Sequence, residues 1–330
     1  MCASQFRSKS VTIHDIANRA GVSIGTVSRA LCNRNGVSSQ TKQKVLDIAA
    51  ELRFRPKTMT TSYNVALILP PLEELRAGGW WYSVAIYEAI SRAVSQKTWA
   101  TQIYDPGNTR NLADYIVDGI ITMAGIPELI GASERLARVP TVVVNGKEEE
   151  PFHTVQTNHK QGGYLAGKLL IEAGHTKIAM LSAPFSWSAK EREDGIKQAM
   201  TEGGLDSADL MIFRTAPGDY DNGLARVLAA KATAIFVADE AATLAIQSRI
   251  TSKYGLRVPD DISIVGFHVP GISDLHYPAI TAIEQPFDEL ADKSVCLLEK
   301  VMQSKKNCKR QLISLDNKLW LGQSLGPPAK

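Results

Sequence analysis

From residue 65 onward, short aliphatic and β-branched runs alternate with segments of helical periodicity. No other feature of the chain restricts its fold as much. The runs lie at 65–70, 100–105, 119–123, 141–145, 177–181, 234–238 and 262–267. Between them, helical patterns cover 82–96, 159–173, 190–203, 221–231 and 240–254. Nearly continuous apolar strands separated by helices imply parallel sheets covered on both faces. The number of runs implies two doubly wound lobes. A tail at 286–330 adds a helix at 286–303 and a strand at 311–315. With 44% hydrophobic residues over 330 positions, the chain can bury a sizeable core, and disorder is excluded. The longest apolar runs, such as 65–72, fall far short of a membrane span.

Residues 11–56 have a different texture and read as three helices. Thr12 is an N-cap, with Asp15 three residues on to complete a capping box. Ile13, Ile16, Ala17 and Ala20 form one apolar face. Gly21 supplies a sharp turn, and Ser23 caps the next helix, which turns Val27, Ala30 and Leu31 inward. Ser38 caps a third helix carrying Val45, Ile48, Ala49 and Leu52, and Arg55-Pro56 ends the unit. The spacing over 12–31 is that of a helix-turn-helix. In such motifs the start of the second helix enters the DNA major groove, here with Ile24, Gly25, Thr26, Ser28 and Arg29.

Charge supports this reading. Residues 1–64 hold ten Lys/Arg and three Asp/Glu, a net of +7, against −4 for the remainder of a chain whose total is +3. A basic head on a mildly acidic body is suited to a polyanion. The start, MCASQFRSKSVTIHD, carries no apolar signal segment, and Cys2, Cys32, Cys296 and Cys308 form no C-x-x-C pair. The expectation is a cytoplasmic protein with reduced thiols, no metal and no cofactor.

The run VTIHDIANRAGVSIGTVSRAL, followed by GVSSQTKQKVLDIAAEL and RP, resembles the lactose/galactose repressor (LacI/GalR) family of bacterial regulators nearly position by position. The resemblance implies roles. Ile24 and Gly25 stand where the family reads operator bases. Gly25 has no side chain, so Ile24 is left to make apolar contact such as with a thymine methyl. Arg29 stands at the other base-reading position and suits guanine. Thr12, Ser23, Thr26, Ser28 and Lys42 are assigned to phosphates. Cys32 replaces the usual asparagine. The largest departure follows Pro56: only KTMTTSYN, a shortened linker at 57–64, precedes the first strand. About six residues of the family's hinge, whose leucine kinks DNA, are missing. Met59 is a substitute wedge, and a plain short linker is the other reading.

The resemblance continues more loosely to about residue 326, through VDGII, VPTVVVN, TNHKQGGYLAGKLLIEAGHTKIAML, Arg192 with Gly195, VPDDISIVGF and PAITAIEQP. It implies a two-lobed body of periplasmic-binding-protein type over 65–330. The first lobe takes 65–158 and 288–313, the second 159–287 and 314–330. A small-molecule effector, a sugar or a sugar acid or phosphate, is expected in the cleft at the carboxyl ends of the strands. Pocket positions fall on Trp80, Trp81 and Tyr82, aromatic faces for a sugar ring. Neighbouring side chains seldom both face one pocket, so the core is the other destination for each tryptophan. Tyr220 matches a further aromatic wall. Arg192 matches the cleft arginine, with a surface ion pair in KEREDG as the alternative. Asp239 matches the acidic residue, after Ala238 in place of asparagine. His268 replaces an aspartate, and Gln285 lies near a crossover. The resemblance also implies a homodimer, through the first lobe, on a palindromic operator.

The resulting expectation is an effector-controlled DNA-binding regulator, a repressor, and not an enzyme. No G-x-G-x-x-G after a strand, Walker loop or nucleophile elbow occurs. The competing readings are a sugar-binding protein of transport type, which requires export, and a regulator whose operator binding is weakened by the short linker.

Overall fold

The computed structural model describes residues 11–31, 36–52, 54, 63–69, 80–97, 99–104, 117–123, 138–146, 152–184, 187–216, 218–271, 273, 277–304 and 308–329. The expected linker at 57–64 lies largely outside the described residues, as do Cys2 and Cys32. The head consists of α1 (Ile13–Ala20), α2 (Ile24–Leu31) and α3 (Ser39–Glu51). Ile16, Ala17, Ala20, Val27, Ala30, Val45, Ile48, Ala49 and Phe54 close one small core among them. Gly21 ends α1 at φ +68°, a left-handed conformation in which a side chain would be strained.

The body contains β1 (Asn64–Ile68), α4 (Trp80–Ser95), β2 (Ala100–Tyr104), β3 (Gly119–Thr122), β4 (Thr141–Val144) and β5 (His153–Thr157). These are followed by α5 (His159–Glu172), β6 (Ile178–Ser182), α6 (Trp187–Glu202), β7 (Met211–Arg214), α7 (Tyr220–Ala229), β8 (Ala234–Val237) and α8 (Glu240–Ser252). The chain continues through β9 (Ser263–Phe267), β10 (Thr281–Glu284), α9 (Phe287–Gln303), β11 (Leu312–Leu315) and β12 (Lys318–Trp320). The strands form two six-stranded sheets, ordered β11-β5-β4-β3-β1-β2 and β12-β10-β9-β8-β6-β7. All pairings are parallel except β10 with β12. Parallel strands buried on both faces favour nearly continuous apolar runs, and β3, β4, β6, β8 and β9 are buried throughout. Each sheet is one α/β lobe. The chain passes between lobes after β5, after β10 and between β11 and β12. β11 stays in the first sheet through Leu315, two residues beyond the expected change of lobe.

Amide side chains tie two of the three crossings together. Asn158 Nδ2 donates to Asp316 Oδ1 at 2.9 Å, and Asn317 Nδ2 donates to the Asn158 carbonyl at 2.8 Å. The Asn317 backbone N–H donates to Gln161 Oε1 at 2.9 Å. Among the described residues, no helix is long and apolar enough to cross a membrane.

Candidate DNA-reading and effector sites

In the head, packing decides which residues of α2 face outward. Val27 and Ala30 are buried, so one turn-to-turn stripe of Ile24, Gly25, Ser28 and Arg29 is left exposed. Ile24 is 41% exposed, an unusual position for a large aliphatic side chain on so small a domain. Ser23 Oγ accepts the Thr26 backbone N–H at 3.1 Å and lies 2.9 Å from the Thr26 hydroxyl, so both hydroxyls are held at the helix start. Thr12 donates through its backbone N–H and its hydroxyl to Asp15 Oδ2, each at 2.7 Å. Arg29 folds back along its own helix, and its Nε donates to the Gly25 carbonyl at 3.2 Å. Lys42 is half-buried in the first turn of α3. The helix N-termini beside Ser23 and Ser38 present amides suited to phosphate.

In the body, chemistry gathers where strands end and helices begin. Asn145, Thr157, Ala238, His268 and Gln285 lie at or just beyond the carboxyl ends of β4, β5, β8, β9 and β10. His159, Trp187, Tyr220 and Glu240 are the first residues of α5, α6, α7 and α8. Parallel topology brings these ends to one side of each sheet.

Arg192, on α6, is the centre of the group. It is only 5% exposed. Its Nη1 donates to the Ala238 carbonyl at 2.7 Å, and its guanidinium carbon lies 3.8 Å from the centroid of the Phe267 ring. Nη2 lies 3.9 Å from Glu240 Oε1 and 3.5 Å from His159 Nδ1. Burial lowers the Arg192 pKa, and the Glu240 carboxylate opposes that shift. Burial raises the Glu240 pKa, and Arg192 opposes it in turn. Burial, and then the Arg192 charge, hold the His159 imidazole well below its usual range, so it is neutral at physiological pH. The Trp187 ring stands against that imidazole at 4.9 Å and 80°.

A hydrogen-bonded chain runs from this corner to the other lobe. Gln285 Nε2 donates to Glu240 Oε1, and Thr157 Oγ1 donates to Gln285 Oε1 at 3.0 Å. The Thr157 backbone N–H donates to Asn145 Oδ1 at 2.7 Å, and Asn145 Nδ2 donates to the Tyr82 hydroxyl. Burial raises the Tyr82 phenol, the Asn145 hydrogen bond opposes that shift, and Glu240 and Arg192 of the other lobe act on it more weakly. Five side chains from separate parts of the sequence thus link the lobes.

A family model for bacterial regulatory proteins of the lacI family matches residues 12–57, and one for a periplasmic binding protein-like domain matches residues 168–325. The HTH-type transcriptional regulator DegA of Bacillus subtilis (strain 168) is 30% identical over 325 residues, covering 92% of this chain and 94% of that protein. The chain belongs to the lacI family of bacterial regulatory proteins. It is a DNA-binding transcriptional regulator. The HTH-type transcriptional repressor PurR of Mannheimia succiniciproducens is also 30% identical, over 95% of this chain and 98% of that protein. A lac repressor dimer bound to operator and the anti-inducer ONPF has the same fold, at a TM-score of 0.65 and 25% identity, over 96% of this chain and 99% of that one. A complex of the regulator CelR with cellobiose superposes with a TM-score of 0.68 at 24% identity, over 95% and 99% of the two chains, a likeness of fold.

Of the residues that the family resemblance marks for the effector, the structure brings Arg192, Gln285 and Tyr82 into one connected group. The surface ion pair weighed for Arg192 does not form: the side chain turns inward, and the pairs on that helix belong to Lys190, Glu193 and Lys197. Asp239 caps α8, and its Oδ1 accepts the Ala242 N–H at 2.7 Å. Tyr220 lies with its ring 5.5 Å from the Arg249 guanidinium, its phenol raised by burial and then by Asp239. His268 is buried and stacks on Trp320 at 4.2 Å and 21°. Trp81 is exposed on α4, and the Trp80 side chain lies outside the described residues. Sequence reasoning missed His159, Trp187, Glu240, Asn145 and Thr157. Their one readable signal was position, since each stands at a strand's end or a helix's start.

Proposed function

We propose that this regulator is a repressor that holds a palindromic operator as a homodimer and releases or tightens its grip when a sugar or sugar derivative enters the cleft. The division of labour is a head at 1–56, a linker at 57–64 and an effector-binding body at 65–330, acting in the cytoplasm. The observation that carries this reading is the chain of contacts from Arg192 and Glu240 through Gln285, Thr157 and Asn145 to Tyr82. A ligand that displaces any member changes the lobe-to-lobe contact, and so shifts the balance between two lobe arrangements. On the DNA side, Arg29 and Ile24 read base edges. Thr12, Ser23, Thr26, Ser28 and Lys42 grip phosphates, and Gly25 lets the backbone approach.

The test is selection of genomic fragments by the purified chain at physiological salt, followed by fluorescence anisotropy on the enriched sequence. A single enriched palindrome, bound with a steep salt dependence that disappears when residues 1–64 are deleted, is the expected result. Unselective retention of all fragments would remove the base-reading roles of Arg29 and Ile24.

A further inference from the structure

We propose that the effector carries an anionic oxygen group, a carboxylate or a phosphate, and that His159 and Arg192 recognise it together. This rests on the reading of the cleft as an effector site. Both side chains are more than nine-tenths buried, at 6% and 5% exposure. Among the described residues, His159 Nε2 and Arg192 Nε have no hydrogen-bond partner. The chemistry of the two unpartnered atoms follows from their neighbours. Arg192 Nη2 faces His159 Nδ1 at 3.5 Å. A guanidinium has no acceptor, so Nδ1 accepts, and in the neutral ring the proton sits on Nε2. Arg192 Nε is an N–H in every state. Two neighbouring side chains therefore each keep one buried donor without an acceptor, an arrangement folded proteins rarely leave unfilled.

Three nearby acceptors are committed elsewhere. The Ala238 carbonyl takes Arg192 Nη1, and Asp239 Oδ1 takes the start of α8. Glu240 Oε1 takes Gln285 Nε2. Ala238 adds no polar side chain here, and His268 stacks on Trp320. A sugar hydroxyl that accepted from these donors would bring a proton of its own, which also needs a partner. A carboxylate or phosphate oxygen accepts without that demand, and its bonds to a guanidinium are charge-assisted. The Trp187 ring beside His159 offers an apolar wall for the carbon skeleton of the same ligand.

The experiment uses the full chain and four probes: gluconate, glucose 6-phosphate, inorganic phosphate and glucose. Binding is read without DNA, by calorimetry and by thermal shift. At least one organic anion is expected to bind about tenfold or more tighter than glucose, because a charge-assisted bond to a buried guanidinium is stronger than one to a neutral hydroxyl. Gluconate in preference to glucose 6-phosphate assigns a carboxylate, and the reverse a phosphate. His159→Ala is expected to weaken the anion about tenfold, and His159→Gln, which keeps an N–H donor, to recover part of it. Circular dichroism of both variants verifies that they fold. The proposal is overturned if glucose binds as tightly as the anions, if no anion registers at millimolar concentration, or if His159→Ala leaves anion affinity unchanged. Loss of specific DNA binding in the separate anisotropy assay would instead sink the regulator reading above and leave these ligand results standing.

Discussion

A Cβ placed on Gly163 would lie 1.9 Å from the Arg192 carbonyl oxygen, and one on Gly195 would lie 1.9 Å from the Lys160 carbonyl oxygen. The two contacts are reciprocal. Helices α5 and α6 touch backbone to backbone, each through a glycine of its own. This contact sets Arg192 at the depth where its guanidinium reaches Phe267 and Ala238, and it brings His159, at the start of α5, within reach.

Gly163→Ala and Gly195→Ala are therefore expected to push the helices apart, since the obstacle is backbone and no rotamer can move it. The expected loss is about 3 kcal/mol for either change. At roughly 2–4 °C per kcal/mol for a body of this size, calorimetry should record a fall of several degrees. Retention of the wild-type melting temperature would show that the helices slide freely here.

The head offers a contrasting glycine. A Cβ on Gly25 meets only Ser23 Oγ, at 3.8 Å. Gly25→Ala should stabilise the head by about 0.5–1 kcal/mol, from helix propensity alone. It also adds a methyl group to the reading face, so the selected operator sequence should change while the fold does not.

Arg29 and Lys42 should respond differently to substitution. Arg29→Ala is expected to cost about 1–3 kcal/mol on the specific operator and to relax selection at one base pair. Lys42→Ala should weaken all sequences alike and reduce the salt slope by about one. Anisotropy titrations over a salt series separate the two, and identical slopes would contradict the phosphate role of Lys42.

Gln285 joins the lobes through both ends of its amide. Gln285→Ala leaves the Glu240 carboxyl and the Thr157 hydroxyl without that partner in a buried site. About 2–4 kcal/mol of stability should be lost. Urea unfolding measures it, and small-angle scattering should show the lobes further apart on average.

Acid sensitivity has a specific source in Glu193. Burial pushes this carboxyl up, but hydrogen bonds from Lys197 and Lys190 outweigh that and hold it at about 2. Arg214 also pairs with it. Its folded-state pKa is thus below the ordinary 4.5. The stability it contributes is complete above pH 4.5 and fades as pH falls toward 2. Glu193→Gln should flatten the stability profile in that window and lower stability at neutral pH. An unchanged slope between pH 4.5 and 2 would assign acid unfolding to other carboxylates.

The head and most of the sheets were legible in the sequence. Capping residues such as Thr12 and Ser38, the turn at Gly21 and the apolar runs all act locally, and they fixed the elements to within a few residues. β5 was not visible because His153–Thr157 mixes polar residues into a short run, and its place in the sheet depends on β4 and β11. β7, β10 and β12 were missed similarly: each is three or four residues long, and β12 is an antiparallel edge. The cleft was half legible. In KEREDG the charge pattern looks like solvent-facing surface, and only the glycine contact between α5 and α6 explains why Arg192 turns inward. Asp239 and Glu240 are neighbours of like charge, and the helix start separates their roles: one caps α8, while the other faces Arg192.

The order in which the sheets are completed has a consequence during synthesis. Among the described residues, the head's core is complete at Phe54, whereas the first lobe's sheet waits for β11, about 260 residues later. At ribosomal speeds of about 5–20 residues per second, that gap lasts roughly 13–50 s. For that interval a nascent chain carries a closed helix-turn-helix head and an incomplete body.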